Sequence, residues 1–202
     1  RMGTNSFSGS IPSSIGSMMG LRYLILNQNN LNGTIPTSIG QFSIMIDLDI
    51  GNNMFSGIIP SELGLMTDLQ ILGVAQNCLT GAIPASIGNL SKLSLVLMSN
   101  NFINESIPSL WPSSVTSLKL SYNCLSGSLP TSLSSSLELH SIEVDHNRLT
   151  GGIPWSYSSW HHIGWMYMSD NLLTGTIPSS LADLGELQIL KVDNNRGIGT
   201  VV

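Results

Sequence analysis

A phrase of the form Asn-x-Leu-x-Gly-x-Ile-Pro recurs along this chain with a spacing of 24 residues. The spacing holds at every step but one, which is 22 residues, as the prolines show: Pro12, Pro36, Pro60, Pro84, Pro108, Pro130, Pro154 and Pro178. A unit of this length cannot bury its own apolar side chains, so consecutive units must stack and share a core. The sequence therefore predicts a solenoid of about eight to nine coils, with residues 1–202 forming a single domain.

Each repeat also predicts one strand and one buried polar corner. Leu24 and Leu26 alternate with other residues ahead of Asn29, and a period of two indicates a strand with one buried face. Stacked coils bring such strands together as a parallel sheet, with about 4.8 Å between neighbours. The asparagine at the corner needs hydrogen-bond partners on its own coil and on the next. We therefore expect a structural ladder of Asn29, Asn53, Asn77, Asn101, Asn123, Asn147, Asn171 and Asn195.

The fifth copy of the phrase departs from the pattern. Glu105 occupies the position that glycine holds in the other copies, and the repeat is two residues shorter than its neighbours. Trp111-Pro112 stands where the second repeat has Ile39-Gly40. Because glycine at such positions usually supplies a turn that a Cβ atom opposes, we expect a local kink or a flattened turn on the convex side.

The recurring phrase resembles the signature of the plant-specific class of the leucine-rich repeat family, in which L-x-G-x-I-P follows the asparagine, and the resemblance covers the whole chain. It implies a right-handed leucine-rich repeat solenoid of the α/β-superhelix class. The parallel sheet would lie on the concave face, 3₁₀ turns on the convex face, and a second run of short strands beside the L-x-G-x-I-P corner. Many members have cysteine-paired caps; since none is visible here, we expect an uncapped fragment of a longer array.

Family members include receptor-like kinase ectodomains and inhibitors of polygalacturonases, which implies a function in recognition. We expect a non-catalytic scaffold that binds a protein, peptide or glycan on its concave face, either as the ectodomain of a cell-surface receptor, with a co-receptor as a further partner, or as a secreted inhibitor. A kinase or a transmembrane segment would lie outside these residues.

In the family the ligand usually meets the concave residues that alternate with the buried leucines. One candidate cluster is apolar and central, with Ile71, Leu95 and Leu97, and a second, nearer the C-terminus, combines Trp165 and Tyr167 with charged groups. The predicted ligand-binding set is Tyr23, Asp47, Asp49, Ile71, Leu95, Leu97, Glu143, Asp145, Trp165, Tyr167, Asp170 and Lys191. Aromatic residues flanked by charges are typical of interface hot spots. The alternative is cross-strand ion pairing among Lys119, Glu143 and Lys191, with Trp165 covering its neighbours.

A second hypothesis concerns the column of small polar residues that precedes the recurrent glycine. It consists of Ser8, Asn32, Ser56, Thr80, Asn104, Ser126, Thr150 and Thr174. Hydroxyl and amide groups at one per coil form a polar ladder that could bind a repeating lattice, such as ice or a cell-wall polysaccharide. The alternative is that these side chains make hydrogen bonds within turns.

Composition and motif spacing argue against several other functions. Charged residues make up 9% of the chain and the net charge is −5, which disfavours nucleic acid as a partner. The sequence has no apolar run of the roughly 20 residues needed to cross a bilayer. His161-His162 and His146 lack the convergent ligands of a metal site and the nucleophile that catalysis requires, so we expect no enzyme activity, no metal and no cofactor.

The cysteines and the sequons bear on the compartment. Cys78 and Cys124 each follow a ladder asparagine two coils apart, roughly 10 Å from each other, which is too far for a disulfide. We expect both to be half-buried. Asn32, Asn89 and Asn104 begin N-glycosylation sequons. Together with the low charge and the family resemblance, these sequons favour an extracellular or cell-surface location.

Overall fold

The chain forms a solenoid in which each coil adds one strand to a long parallel sheet, as the repeat predicts. In the computed structural model, which describes residues 3–199, this concave sheet has eight strands, ordered in space as in sequence. The strands are Tyr23–Ile25, Asp47–Asp49, Ile71–Gly73, Leu95–Leu97, Ser117–Lys119, Ser141–Glu143, Trp165–Tyr167 and Ile189–Lys191. The fold class inferred from the sequence is therefore confirmed.

The register of this sheet aligns the repeat positions along the solenoid. Leu48 pairs with Leu24 on one side and with Leu72 on the other, and the central residue of each later strand continues the row. These side chains form the core, and those of the middle strands are fully buried. Burial of one such aliphatic side chain contributes about 1.5–3 kcal/mol. The residues on either side of each central position consequently lie on the concave surface.

A second set of parallel strands lies at the corner where the recurrent phrase begins. Five of them form one sheet: Ser8–Ser10, Asn30–Thr34, Met54–Ile58, Cys78–Gly81 and Phe102–Ile103. Beyond it, Thr150–Gly151 pairs with Leu172–Leu173, and Gly175–Thr176 pairs with Ile198–Gly199. We call these the lateral strands. They are interrupted after Ile103, where the shortened coil follows.

The convex side carries short 3₁₀ helices, each of which begins directly after the proline of the phrase. They are Ser13–Ser17, Thr37–Gln41, Ser61–Leu65, Ala85–Asn89, Thr131–Ser135, Trp155–Ser159 and Ser179–Asp183. The prolines have φ between −58° and −73°, the range that the pyrrolidine ring imposes. Each proline therefore presets the chain direction at the start of the convex turn.

The shortened coil differs from its neighbours on the convex side. Residues 90–130 contain no 3₁₀ helix, in keeping with the turn expected from the missing residues. Trp111 is buried there, and its indole Nε1 donates a hydrogen bond to the carbonyl of Pro108 at 2.9 Å. Glu105 nevertheless keeps the backbone conformation of the glycines that it replaces, with φ of 65°.

The corner asparagines link successive coils through backbone groups. Asn77 accepts a hydrogen bond on Oδ1 from the N–H of Phe55 at 2.9 Å, and its Nδ2 donates to the carbonyls of Ile50 and Val74, both at 3.1 Å. Asn53, Asn101, Asn123, Asn147, Asn171 and Asn195 make the same three kinds of bond. Asn29 accepts from Phe7 and donates to Leu26. Each side chain thus satisfies backbone groups on more than one coil.

Aromatic residues replace aliphatic ones in the core of one coil. Tyr157 and Trp160 are fully buried and stacked, with 3.8 Å between ring centroids. Their polar atoms donate to the carbonyls of Pro130 and Leu133 at 3.1 and 3.0 Å. Burial raises the pKa of the Tyr157 phenol far above its usual value. Both residues are therefore structural.

The cysteine prediction was wrong for one of the two residues. Cys78 and Cys124 are both free, and Cys124 is half-buried as expected, but Cys78 is exposed. The reason is the alternation along the lateral strand Cys78–Gly81, in which Leu79 points into the core and Cys78 points outward.

Candidate ligand-binding surface

Trp165 and Tyr167 lie side by side on the concave face because they flank the buried Met166 on one strand. The indole of Trp165 is 39% exposed, whereas Tyr167 is half-buried. The register pairs Tyr167 with Glu143 on one neighbouring strand and with Lys191 on the other. The exposed Trp165 and the half-buried Tyr167 thus lie between charged side chains on both neighbouring strands.

The charged side chains around Trp165 and Tyr167 make two kinds of contact, an ion pair and a cation–π contact. Lys119 Nζ lies 2.7 Å from Glu143 Oε1, so the cross-strand ion pair proposed as the alternative is present. Ser141 Oγ donates to the same carboxylate oxygen at 3.3 Å. Lys191 makes a cation–π contact instead, with its Nζ 5.5 Å from the centroid of the Tyr167 ring. These contacts hold the side chains in place without covering Trp165.

The next concave column carries carboxylates that accept hydrogen bonds from serines one coil earlier. Ser121 Oγ donates to Asp145, and Ser169 Oγ donates to Asp193 at 2.5 Å. The bond from Ser169 is the main cause that lowers the pKa of Asp193, followed by the residue's own backbone N–H and by the nearby Lys191. The arrangement at Asp193 therefore favours the ionised form of that acid.

A corner column borders this surface, and Asp170 is the one member of it that the sequence analysis assigned to the ligand-binding set. The residue before each ladder asparagine has a left-handed backbone, with φ between 52° and 60°. The members of the column are Thr4, Gln28, Asn52, Gln76, Asn100, Tyr122, His146, Asp170 and Asn194. Their conformation turns the chain sharply at the edge of the concave sheet. The position in the repeat was the only available signal for this role, and it does not reveal the backbone angle.

Tyr122, His146 and Asp170 form a linked group within the corner column. His146 Nδ1 lies 2.9 Å from Asp145 Oδ2, and its Nε2 lies 3.3 Å from Asp170 Oδ2. The ring of Tyr122 stacks on the imidazole, with 4.0 Å between centroids. Asn194 Nδ2 donates to the other oxygen of Asp170 at 2.9 Å. The imidazole is therefore held between two carboxylates, with an aromatic ring on its face.

Two adjoining hollows run across these strands, and we call them together the C-terminal groove. The first hollow is lined by Thr116, Ser117, Lys119, His140, Ser141, Glu143, Trp165 and Tyr167. The second is lined by Ser99, Asn100, Ser121, Tyr122, Glu143, Asp145 and Tyr167. Because Glu143 and Tyr167 line both hollows, the groove is continuous from Trp165 to Tyr122.

The other predicted concave residues lie elsewhere on the sheet. Asp47 pairs in register with Tyr23 and Ile71, on strands far along the solenoid from the groove. Asp49 Oδ1 accepts from the N–H of Gly51 at 3.0 Å, and burial raises the pKa of this carboxyl. The apolar cluster of Ile71, Leu95 and Leu97 is half-buried. Sequence register therefore placed all of these residues on one face, and the predicted residues that line the C-terminal groove are Glu143, Asp145, Trp165 and Tyr167.

Across residues 3–199, no three His, Cys, Asp or Glu side chains converge as metal ligands. His162 lies 3.3 Å from Glu186 and stacks on His140, with 5.8 Å between centroids. The same residues include no helix that is long and apolar enough to cross a membrane.

The lateral hydroxyl groups are used within the chain. Ser56, Thr80 and Thr150 donate to the carbonyls of the preceding coil at 3.4, 3.3 and 3.2 Å. These bonds join neighbouring coils, 23 residues apart in the sequence, and do not close turns within one coil, so the turn role stated as the alternative to lattice binding stays a prediction. The sequon residues Asn32, Asn89 and Asn104 are all exposed, and their glycosylation stays a prediction.

Comparison with known proteins identifies the same repeat. A family model described as Leucine Rich Repeat matches residues 20–42, 45–66, 114–136 and 162–184. No curated protein matches the sequence. A plant ice-binding protein of known structure is 22% identical, with a TM-score of 0.80, and the match covers 99% of this chain and 73% of that one. At this identity the likeness shows the fold alone.

Plant receptor structures are more similar. The plant peptide hormone receptor RGFR1, in complex with RGF2, is 35% identical over 96% of this chain and 31% of that chain, with a TM-score of 0.92. The Arabidopsis receptor kinase HAESA, in complex with the peptide hormone IDA and the co-receptor SERK1, is 30% identical over 96% of this chain and 33% of that chain, also with a TM-score of 0.92. This chain thus spans about a third of the length of those receptor chains.

Proposed function

The chain belongs to the leucine-rich repeat family in its plant-type form, and on that premise we propose that it is a non-catalytic recognition domain that binds a peptide segment in the C-terminal groove. The observation that carries this proposal is the exposed Trp165 beside Tyr167 within a continuous charged groove. Large aromatic side chains surrounded by polar groups are the residues that dominate binding energy at interfaces. A protein ligand would present such a segment in the same way.

The rigidity of the groove supports this function. Its walls stand on paired parallel strands, and the ion pair of Lys119 with Glu143 and the contact of Lys191 with Tyr167 restrain the side chains before any ligand arrives. A preorganised surface loses less conformational entropy on binding, so more of the contact energy becomes affinity.

The similar receptors support the choice of partner and of compartment. RGFR1 and HAESA were both solved with peptide ligands, and HAESA also with a co-receptor. By this analogy the ligand is an extracellular peptide, the chain acts at the cell surface or outside the cell, and a co-receptor is a candidate second partner.

The proposal is tested by selecting binders from a displayed random-peptide library against the chain. The double variant Trp165→Ala/Tyr167→Ala is expected to weaken the selected peptides by at least about tenfold, the loss that a hot-spot truncation produces. The matched control is Trp155→Ala, since Trp155 is 75% exposed but begins a convex 3₁₀ helix. Circular dichroism checks that each variant keeps the fold. Peptides that bind the double variant as tightly as the parent chain would refute the proposal.

A further inference from the structure

The second hollow of the C-terminal groove has an unusual lining. Tyr122 and Tyr167 stand at its sides, and Glu143 and Asp145 supply two carboxylates. Its remaining lining residues, Ser99, Asn100 and Ser121, are all neutral. The hollow therefore combines two negative charges with two aromatic rings.

The groups that line this hollow are fixed by contacts outside it. Asp145 is held by the hydroxyl of Ser121 and by His146, and the ring of Tyr122 is stacked on that same imidazole. Glu143 is held through one oxygen by Lys119. An ionised carboxylate offers about four lone-pair positions, so these contacts leave further acceptor capacity on both carboxylates, which line the hollow.

The charges around the groove favour a positively charged group on the ligand. Its acidic side chains are Glu143, Asp145, Asp170 and Asp193, whereas its ammonium groups are those of Lys119 and Lys191. Lys119 is paired with Glu143, and Lys191 lies over the ring of Tyr167. The ammonium group of Lys191 thus lies within cation–π distance of the Tyr167 ring, which lines the hollow. An excess of carboxylates beside electron-rich rings favours a cationic group.

We propose that the second hollow is a subsite for the side chain of an arginine in an extended peptide ligand. A guanidinium group is planar, pairs with carboxylates through two parallel N–H donors and stacks on aromatic faces. Glu143 and Asp145 would accept from its donors while Tyr122 and Tyr167 contact its faces. This inference rests on the proposed function, because it names the chemistry of the ligand that the groove takes.

The placement of Trp165 adds a spacing to the expected ligand. Trp165 lies two residues before Tyr167 on the same strand and lines the first hollow but not the second. An extended peptide rises about 3.3 Å per residue. A ligand that fills both hollows would therefore carry an apolar residue about two to four positions from its arginine.

The test uses the peptides selected from the random library on the unmodified chain. Their sequences are expected to be enriched in arginine with a neighbouring apolar residue. For the tightest binder, replacement of that arginine by citrulline, its neutral isostere, is expected to weaken binding by about tenfold or more, as loss of a charged hydrogen-bonding partner does. In the variant Glu143→Gln/Asp145→Asn, the two peptides should bind with affinities within about twofold of each other. The control Asp68→Asn alters an exposed carboxylate paired with Lys92, and should preserve the full difference.

The results distinguish failure of the arginine subsite from failure of the proposed peptide binding on which it rests. Peptides that need Trp165 and Tyr167, yet carry no basic residue or tolerate citrulline, would overturn the arginine subsite and leave groove recognition intact. A citrulline effect that persists unchanged in Glu143→Gln/Asp145→Asn would also overturn it. Selected peptides that ignore Trp165 and Tyr167, or a library that yields no binder, would overturn both.

Discussion

Replacement of Asn101 by alanine should destabilise the chain through the backbone groups that it leaves without partners. Asn101 Oδ1 accepts from the N–H of Leu79 at 3.0 Å, and its Nδ2 donates to the carbonyls of Val74 and Met98 at 3.0 and 3.2 Å. Leu79, Val74 and Met98 are all fully buried. Water therefore cannot take over the bonds that alanine removes.

The magnitude follows from these groups. A buried donor without a partner costs about 1–3 kcal/mol, and each lost hydrogen bond to a carbonyl costs about 1 kcal/mol. Together they predict that Asn101→Ala lowers the free energy of unfolding by about 3–5 kcal/mol. Since whole domains have only about 5–15 kcal/mol of stability, one rung of the ladder should be a large part of the total.

Urea-induced unfolding followed by circular dichroism measures the change, and amide exchange at Leu79 reports whether the loss is local. The control is Asn30→Ala, which removes the same side chain from an exposed position on a lateral strand, and should change the free energy by less than about 0.5 kcal/mol. If Asn101→Ala were no more damaging than Asn30→Ala, the ladder could not be the polar element that binds the coils together.

Four further substitutions test other features of the chain. Glu105→Gly should raise the unfolding free energy in urea by about 1 kcal/mol, because it relieves a left-handed backbone that favours glycine. Gly64→Ala should lower the melting temperature, since its Cβ would lie 2.5 Å from a backbone oxygen of the next coil, whereas Gly185→Ala, with open space, should not. Burial raises the pKa of the Asp49 carboxyl, so the stability that Asp49 contributes is lost as the pH rises through that pKa. Asp49→Asn should therefore raise the free energy of unfolding more at about pH 7 than at about pH 3, where both side chains are neutral. Tyr122→Asn should raise the free energy of unfolding slightly, because asparagine tolerates a left-handed backbone well. The same substitution should weaken the binding of arginine-containing peptides, measured by calorimetry.

The sequence predicted the solenoid because its constraints repeat. A core position such as Leu48 and a corner such as Asn77 recur in every coil, so each was sampled many times in one chain. Register alone then placed Trp165, Tyr167 and Glu143 on one face, because the side-chain period of a strand is two. These inferences needed only the spacing of the residues.

The remaining features could not be predicted, because they depend on distances that a repeat pattern does not contain. The position of Tyr122 is held by several residue types along the chain, and its left-handed backbone does not show in the phrase. Whether Lys191 would bond to a carboxylate or lie over Tyr167 depends on rotamers rather than on register. The exposure of Cys78 depends on the short lateral strand, in which Leu79 takes the inward position.

The same separation between repeated and unrepeated positions explains where ligand specificity can reside. The leucines and asparagines of the phrase hold the fold, so the outward strand positions and the corner column vary at little cost in stability. Three corner positions hold asparagine, Asn52, Asn100 and Asn194, which suits a left-handed backbone. Tyr122 occupies this conformation with a bulky ring that the backbone disfavours, at a cost of order 1 kcal/mol. Its ring lines the hollow that also contains the carboxylates of Glu143 and Asp145, so a residue that fits its backbone poorly lies where the proposed arginine subsite needs an aromatic wall.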